Sequence, residues 1–301
     1  MKIGVIVPQG WILEYDGWDA QKAWARSRDV AWQAEALGFE SIWLYDHFHT
    51  VPQSRDEITF EAFTTLSALA VETRRVRLGH VVLCAGYRNP ALTAKMISTL
   101  DVISGGRMEL GIGAGWKRDE WRAYGYGFPS AGERLKKLGD QLEIIRAMME
   151  PGRASHEGEH HHVAGAINVP KPVQQPHVPI MVGGNGPNVT WRLAARYADE
   201  LNLDGMSAAE VAQAVPVIRQ RCEEIDRDPA TLAVSVHLWH EDLAQQGTER
   251  AELVAAYREV GVARLIALLK ASVESDDALA VWAEDARTGG AELADSHAVG
   301  A

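Results

Sequence analysis

The sequence predicts an α/β fold, a (β/α)8 TIM barrel with one excursion at about residues 151–179. Three observations predict it. About eight short apolar runs alternate with amphipathic helical stretches between Ile3 and Arg287, the number and order such a barrel requires. The runs are continuously apolar, as strands covered on both faces are. The first βα turn, Pro8-Gln9-Gly10-Trp11, lacks the glycine fingerprint that opens a doubly wound sheet. No linker, solenoid-length repeat or low-complexity block interrupts the 301 residues. The expectation is one domain over 1–301, with a Gly/Ala tail that is flexible after about residue 288.

Taken in order, Ile3–Val7 reads as the first strand and Asp19–Leu37 as a helix ended by Gly38. Its apolar spacing at Ala23, Val30, Ala34 and Leu37 is helical. Ser41–Tyr45 is a strand closed by Asp46-His47-Phe48-His49, and Phe60–Glu72 is a helix. Val76–Cys84 reads as one strand, followed by Arg88-Asn89-Pro90, an amphipathic helix and Gly105-Gly106. Met108–Ile112 then ends in Gly113-Ala114-Gly115-Trp116, which completes a βαβ unit. A charged, aromatic segment (Lys117–Phe128) precedes the helix Ala131–Met149. Pro151–Pro179, with its late prolines, reads as a hairpin outside the alternation. The remaining strands are Ile180–Val182, Glu200–Leu203, Leu232–Trp239 and Arg264–Leu269. The helices Val189–Tyr197, Ala208–Ile225, Arg250–Val260 and Asp276–Arg287 separate and follow them.

Composition narrows the function classes. A hydrophobic content of 47% supports a large core, and a net charge of -11 argues against a nucleic-acid partner or an anionic membrane. Two cysteines, Cys84 and Cys222, offer neither a disulfide framework nor a zinc spacing, which points to a reducing cytoplasm. The apolar N-terminal run is too short for a signal peptide, and nothing approaches the length of a membrane helix. The expected partner is a small-molecule substrate, and the expected assembly a homo-oligomer, a dimer.

In such a barrel the site lies at the C-terminal ends of the strands. Those ends are rich in glycine and poor in carboxylates. A glycosidase would place a carboxylate pair there, and a metal hydrolase several His and Asp residues. The set suits a large planar cofactor that carries a phosphate. Gly183-Gly184-Asn185-Gly186 before a helix is a phosphate cradle through exposed amides. The same turn would also serve plain strand-to-helix packing. Gly111–Gly115 superficially resembles a dinucleotide fingerprint but lacks its final glycine. His47 at a strand end can pass a proton, with Asp46 holding its tautomer or capping the loop. Gln9, Trp11 and Trp116 fall at the mouth as substrate-facing groups. His160-His161-His162, with His156 nearby, points to both sides of an extended segment and closes on no metal.

Gly38-Phe39-Glu40-Ser41-Ile42-Trp43 into Asp46-His47-Phe48, Leu78-Gly79-His80, Tyr87-Arg88-Asn89-Pro90, Ile103-Ser104-Gly105-Gly106-Arg107, Gly111–Trp116 and Pro170-Lys171-Pro172-Val173-Gln174 form a familiar set. With Ile180 through Asp199, they make the chain resemble the luciferase-like monooxygenase superfamily. Asp46-His47-Phe48 resembles the branch that uses the deazaflavin coenzyme F420. The resemblance implies a (β/α)8 barrel in which His47 assists hydride transfer. It implies a bulge with a non-proline cis peptide at Val81-Val82 backing the coenzyme ring. It also implies coenzyme contacts from Gly113, Ala114, Gly115, Gly183, Gly184, Asn185 and Gly186. The sugar-phosphate dehydrogenases of that branch carry a glutamate after the fourth-strand glycines, where this chain has Trp116. An apolar or aromatic substrate is therefore expected. A reduced-FMN monooxygenase on the same barrel and a flavin-binding protein without turnover remain as alternatives.

Overall fold

The computed structural model describes residues 1–294. Its elements are β1 (Lys2–Ile6), α1 (Ala20–Leu37), β2 (Ser41–Leu44), α2 (Ala62–Glu72), β3 (Arg77–His80), β4 (Leu83–Cys84), α3 (Pro90–Ser104) and β5 (Met108–Gly113). There follow α4 (Arg118–Ala123), α5 (Ala131–Met149), β6 (Arg153–Glu157), β7 (His162–Ile167), β8 (Ile180–Gly183), α6 (Thr190–Tyr197) and β9 (Glu200–Asp204). The last are α7 (Ala208–Glu223), β10 (Ala233–Leu238), α8 (Thr248–Glu259), β11 (Arg264–Ala267) and α9 (Asp277–Thr288). The main sheet runs β3-β2-β1-β11-β10-β9-β8-β5-β4, and a further β3–β5 pairing closes it into a barrel. Its ladders are parallel. β3 and β4 are two halves of one barrel position, so the eight-strand expectation holds.

Strand alternation sorts the side chains into two cores. Ile3, Val5, Ile42 and Leu44 pack outward with Val30, Ala34 and Leu66 of the helices. Ile6, Trp43, Tyr45, Met181 and Ile266 fill the barrel interior. Trp43 needs unusual room there: a Cβ on Gly79 would lie 2.2 Å from its ring. Below it Arg264 sits among Glu40, Glu109 and Glu200, with Arg264 Nη1 2.6 Å from Glu109 and 3.0 Å from Glu200.

Helix ends follow local chemistry. Asp19 caps α1, and Gly38 closes it at φ +85°, a conformation glycine adopts without penalty. Ser130 with Glu133 and Ser207 with Glu210 form reciprocal capping boxes on α5 and α7.

Four features differ from the sequence reading or sharpen it. Val76–Cys84 is broken at Val81-Val82, where the peptide is cis. The segment Lys117–Phe128 contains the short helix α4. The excursion holds the antiparallel hairpin β6–β7, with His160 and His161 in its turn and His162 opening β7. The expected flexible tail is hydrogen-bonded as far as Ala294, whose amide donates to Gly38, while Glu292 donates to Met1. The rest of that tail, 295–301, lies outside the described residues. Among the described residues, no helix is long and apolar enough to cross a membrane.

Candidate active site

The C-terminal strand ends enclose a cavity of about 710 Å3. Its walls include Trp11, Tyr45, His47, Val81, Val82, Trp116, Asp204, His237 and Trp239. Apolar and aromatic surface with a few convergent polar groups is what a small-molecule site requires. No lysine or arginine lines it among the described residues.

His47 follows β2 and is fixed from two directions. Its ring lies flat on Trp11, with centroids 4.1 Å apart and planes 5° from parallel. Its Nδ1 donates to Glu120 Oε2 at 2.9 Å. Glu120 comes from α4 and is fully buried. It also accepts from the amides of Phe48 and His49 and from the Tyr87 hydroxyl, each at 2.9 Å. Burial alone would raise its carboxyl. The hydrogen bond and charge of His47 and the two amides outweigh that and hold it below its ordinary value. An ionised Glu120 keeps the proton on His47 Nδ1, so Nε2 is left to exchange a proton with whatever enters the cavity.

The tautomer partner of His47 is therefore Glu120 and not Asp46. Asp46 is buried and turned to the opposite side, as alternate residues of an extended chain are. Its carboxylate accepts both Arg88 guanidinium nitrogens, at 2.7 and 2.8 Å, and the Cys84 amide at 2.8 Å. Arg88 reaches on to Glu61 at the start of α2. Asp46 thus ties the β2 end to the residues after the bulge, which positions His47 without touching it.

The glycines act on the bulge before they act on any ligand. A Cβ on Gly113 would lie 2.9 Å from Val82 Cγ2, one on Gly183 2.8 Å from Val82 Cγ1, and one on Gly111 1.8 Å from the His80 carbonyl. They are small because the Val81-Val82 bulge packs into them. Gly115, at φ +76°, likewise abuts Cys84 and Trp121. Val81, Val82, Gly113, Ala114, Gly115, Gly183 and Gly184 all line the cavity.

Some expected site residues fall elsewhere. Gln9 is buried, and its amide is spent on the Tyr45 amide and the Tyr45 and Phe60 carbonyls. Asn185 exchanges two hydrogen bonds with the Asp204 backbone. Neither lines the cavity, nor does Gly186. Instead Thr190, at the start of α6, does. No side chain caps that helix; its Trp191 amide donates to the Gly186 carbonyl, which leaves the Thr190 amide at the cavity for an anionic group. Trp116 stands 61% exposed at the rim, edge-on to His47 at 5.7 Å. The histidine triplet diverges: the His160 amide binds Asp140, His161 meets Gln141, and His162 pairs with Glu157.

Sequence reasoning missed Glu120, Tyr87, Arg88, Asp204 and Thr190. Only Thr190, directly before a helix beside the glycine turn, carried a local signal.

An F420-dependent glucose-6-phosphate dehydrogenase of Kineococcus radiotolerans is 36% identical over 188 residues, 62% of this chain and 54% of that protein. The chain spans less than two thirds of the length of the curated relatives it matches first. An F420-dependent secondary alcohol dehydrogenase, solved with an F420-acetone adduct, superposes with a TM-score of 0.80 at 19% identity, covering 96% of this chain and 98% of that one. The monooxygenase RslO1 of Streptomyces bottropensis gives 0.75 at 20% identity, covering 97% and 100%. These two likenesses establish the barrel and its excursion as a shared fold. The sequence pattern of the luciferase-like monooxygenase family matches residues 1–299, and the chain belongs to that family.

Proposed function

We propose that the chain is an F420-dependent oxidoreductase acting on an uncharged small organic substrate. The observation that carries this reading is His47, stacked on Trp11 and held through Nδ1 by buried Glu120, with Nε2 left to the cavity. The residues fit the coenzyme. The cavity is large and mostly apolar, one wall is the Val81-Val82 bulge, and the start of α6 beside Gly184 offers the Thr190 amide to a phosphate. When bound, the deazaflavin supplies the ring carbon that gives or accepts hydride. His47 would orient the reacting group through a hydrogen bond at Nε2 as the hydride moves. Trp11 and Glu120 keep its ring in place, and the aromatic walls exclude water.

The substrate class follows from charge. Among the described residues the cavity has no lysine or arginine to meet a second phosphate, Asp204 adds a negative charge, and Trp116 occupies the rim. Glucose 6-phosphate, named for the relatives, is therefore expected to show no turnover here.

Fluorescence titration with F420 and with FMN tests the coenzyme. Tight FMN binding without F420 binding overturns the reading in favour of a reduced-FMN monooxygenase. Oxidation of reduced F420 by ketones or enones, followed by its absorbance, separates an enzyme from a flavin-binding protein.

A further inference from the structure

A second polar array faces the same cavity and is untouched by the reading above. Tyr45 follows β2 directly, two residues before His47, and like His47 lines the cavity. Its hydroxyl lies 2.7 Å from His237 Nε2. His237 Nδ1 lies 3.1 Å from Asp204 Oδ1, which also accepts from Trp239 Nε1 at 2.9 Å. Tyr45 and His237 are buried, whereas the Asp204 side chain is 56% exposed at the mouth. All three line the cavity. The array therefore runs from solvent to the inner wall. The His47 array contrasts with it: the groups behind His47, Glu120 and Tyr87, are both buried.

Directionality follows from the acceptors. Asp204 is a carboxylate at neutral pH and can only accept. It fixes the proton on His237 Nδ1, which leaves Nε2 to accept from Tyr45. Burial keeps the Tyr45 phenol well above its ordinary range, and Glu14, Asp204 and Glu241 push the same way. The hydroxyl is thus a neutral donor whose oxygen still has lone pairs for a ligand.

Resting on the proposed hydride-transfer reading, we propose that Tyr45, His237 and Asp204 form a proton path between the inner cavity and solvent. Tyr45 exchanges the proton with the substrate, and His237 and Asp204 position and drain it. In the oxidative direction a substrate carbinol gives its hydroxyl proton to the Tyr45 oxygen as the Tyr45 O–H proton passes to His237 Nε2. The carbinol C–H pair leaves as hydride to the oxidised deazaflavin, and the C=O bond forms. The His237 imidazolium then releases its Nδ1 proton past Asp204 to water, and tautomer exchange returns the remaining proton from Nε2 to Nδ1, which restores the starting state. One proton reaches solvent per two electrons transferred, and reduction is the reverse.

The first test needs no cofactor. In the free protein with 15N-labelled histidine, NMR is expected to show His237 as the Nδ1–H tautomer. Asp204→Asn is expected to shift it towards Nε2–H. A wild-type His237 protonated only at Nε2 overturns the proposal even if F420 turnover is found. The second test uses the F420-loaded enzyme with uncharged alcohols. His237→Gln retains a hydrogen-bonding partner for Tyr45 but cannot carry a proton. Expected are a kcat about 100-fold lower, a KM within about threefold, a larger solvent deuterium isotope effect and partial rescue by imidazole. A raised KM or lowered Tm with an unchanged isotope effect and pH profile overturns the path. A wild type inert toward F420 sinks the functional reading, and the tautomer measurement still decides the array.

Discussion

Glu120 shows how one buried carboxylate can organise a site. It accepts four hydrogen bonds, from His47, the Phe48 and His49 amides and the Tyr87 hydroxyl. Hydrogen bonds to a charged group are worth more than neutral ones, and donors left unpaired in a buried site cost more still. Glu120→Gln must turn an NH2 toward one of these donors. It is expected to cost about 3 kcal/mol of stability, measured by denaturant unfolding, and to lower kcat. The pH dependence has a definite sign. The folded carboxyl titrates below the unfolded value of about 4.3, so its stabilisation is complete above that pH. It is lost as pH falls through the folded value. The stability gap between wild type and variant should therefore narrow on acidification below about pH 4.

Residue-scale legibility was uneven for a physical reason. His47, Trp11 and Trp116 could be found because a barrel site must lie at strand ends. For Asp46 the sequence left two roles open, holding the His47 tautomer or capping the loop; neighbours in extended chain point apart, which rules out the first. Glu120 lies on a short helix inside a stretch that reads only as charged and aromatic. Its role needs the three-dimensional meeting of α4 with the β2 end. The same holds for Asp204 and His237, which come from different strands.

At the scale of elements, the strands and helices were legible because both periodicities are strong. The break between β3 and β4 was legible only through the family resemblance, which implied the Val81-Val82 bulge that the structure has; by its own pattern Val76–Cys84 reads as one strand. What marks it is the ring of glycines across the barrel, which makes room for Val82. This gives a paired prediction. Gly183→Ala brings a Cβ to 2.8 Å from Val82 Cγ1, and overpacking of this kind costs about 1–3 kcal/mol. Val82→Ala removes the clashing methyls, so the double variant should recover at least about 1 kcal/mol over additivity. Additive losses in urea unfolding would refute the packing account.

Across the whole molecule, the barrel separates chemistry at its top from charge at its base. Arg264 meets Glu109 most closely, and its charge and that of Arg77 keep Glu109 ionised against the cost of burial. Burial then pushes Glu200 up to about 7, opposed by Arg264 and reinforced by Glu109. Folded Glu200 thus binds a proton that the unfolded chain releases near pH 4.3. Its contribution is complete below the unfolded value and declines as pH rises towards about 7. Glu200→Gln should flatten Tm between about pH 5 and 7 relative to wild type, with little change in coenzyme affinity because the cluster lies at the opposite end. An unchanged slope would place the titration elsewhere.

The junction of α4 with the β2 end has a consequence for recombination among relatives. Residues 46–50 and 116–123 are about seventy positions apart in sequence, yet they share one set of hydrogen bonds through Glu120. They form a single exchangeable unit. A chimera that imports one segment without the other strands either a buried charge or two buried amides. Libraries that cross over between them should lose soluble members unless both segments come from the same parent.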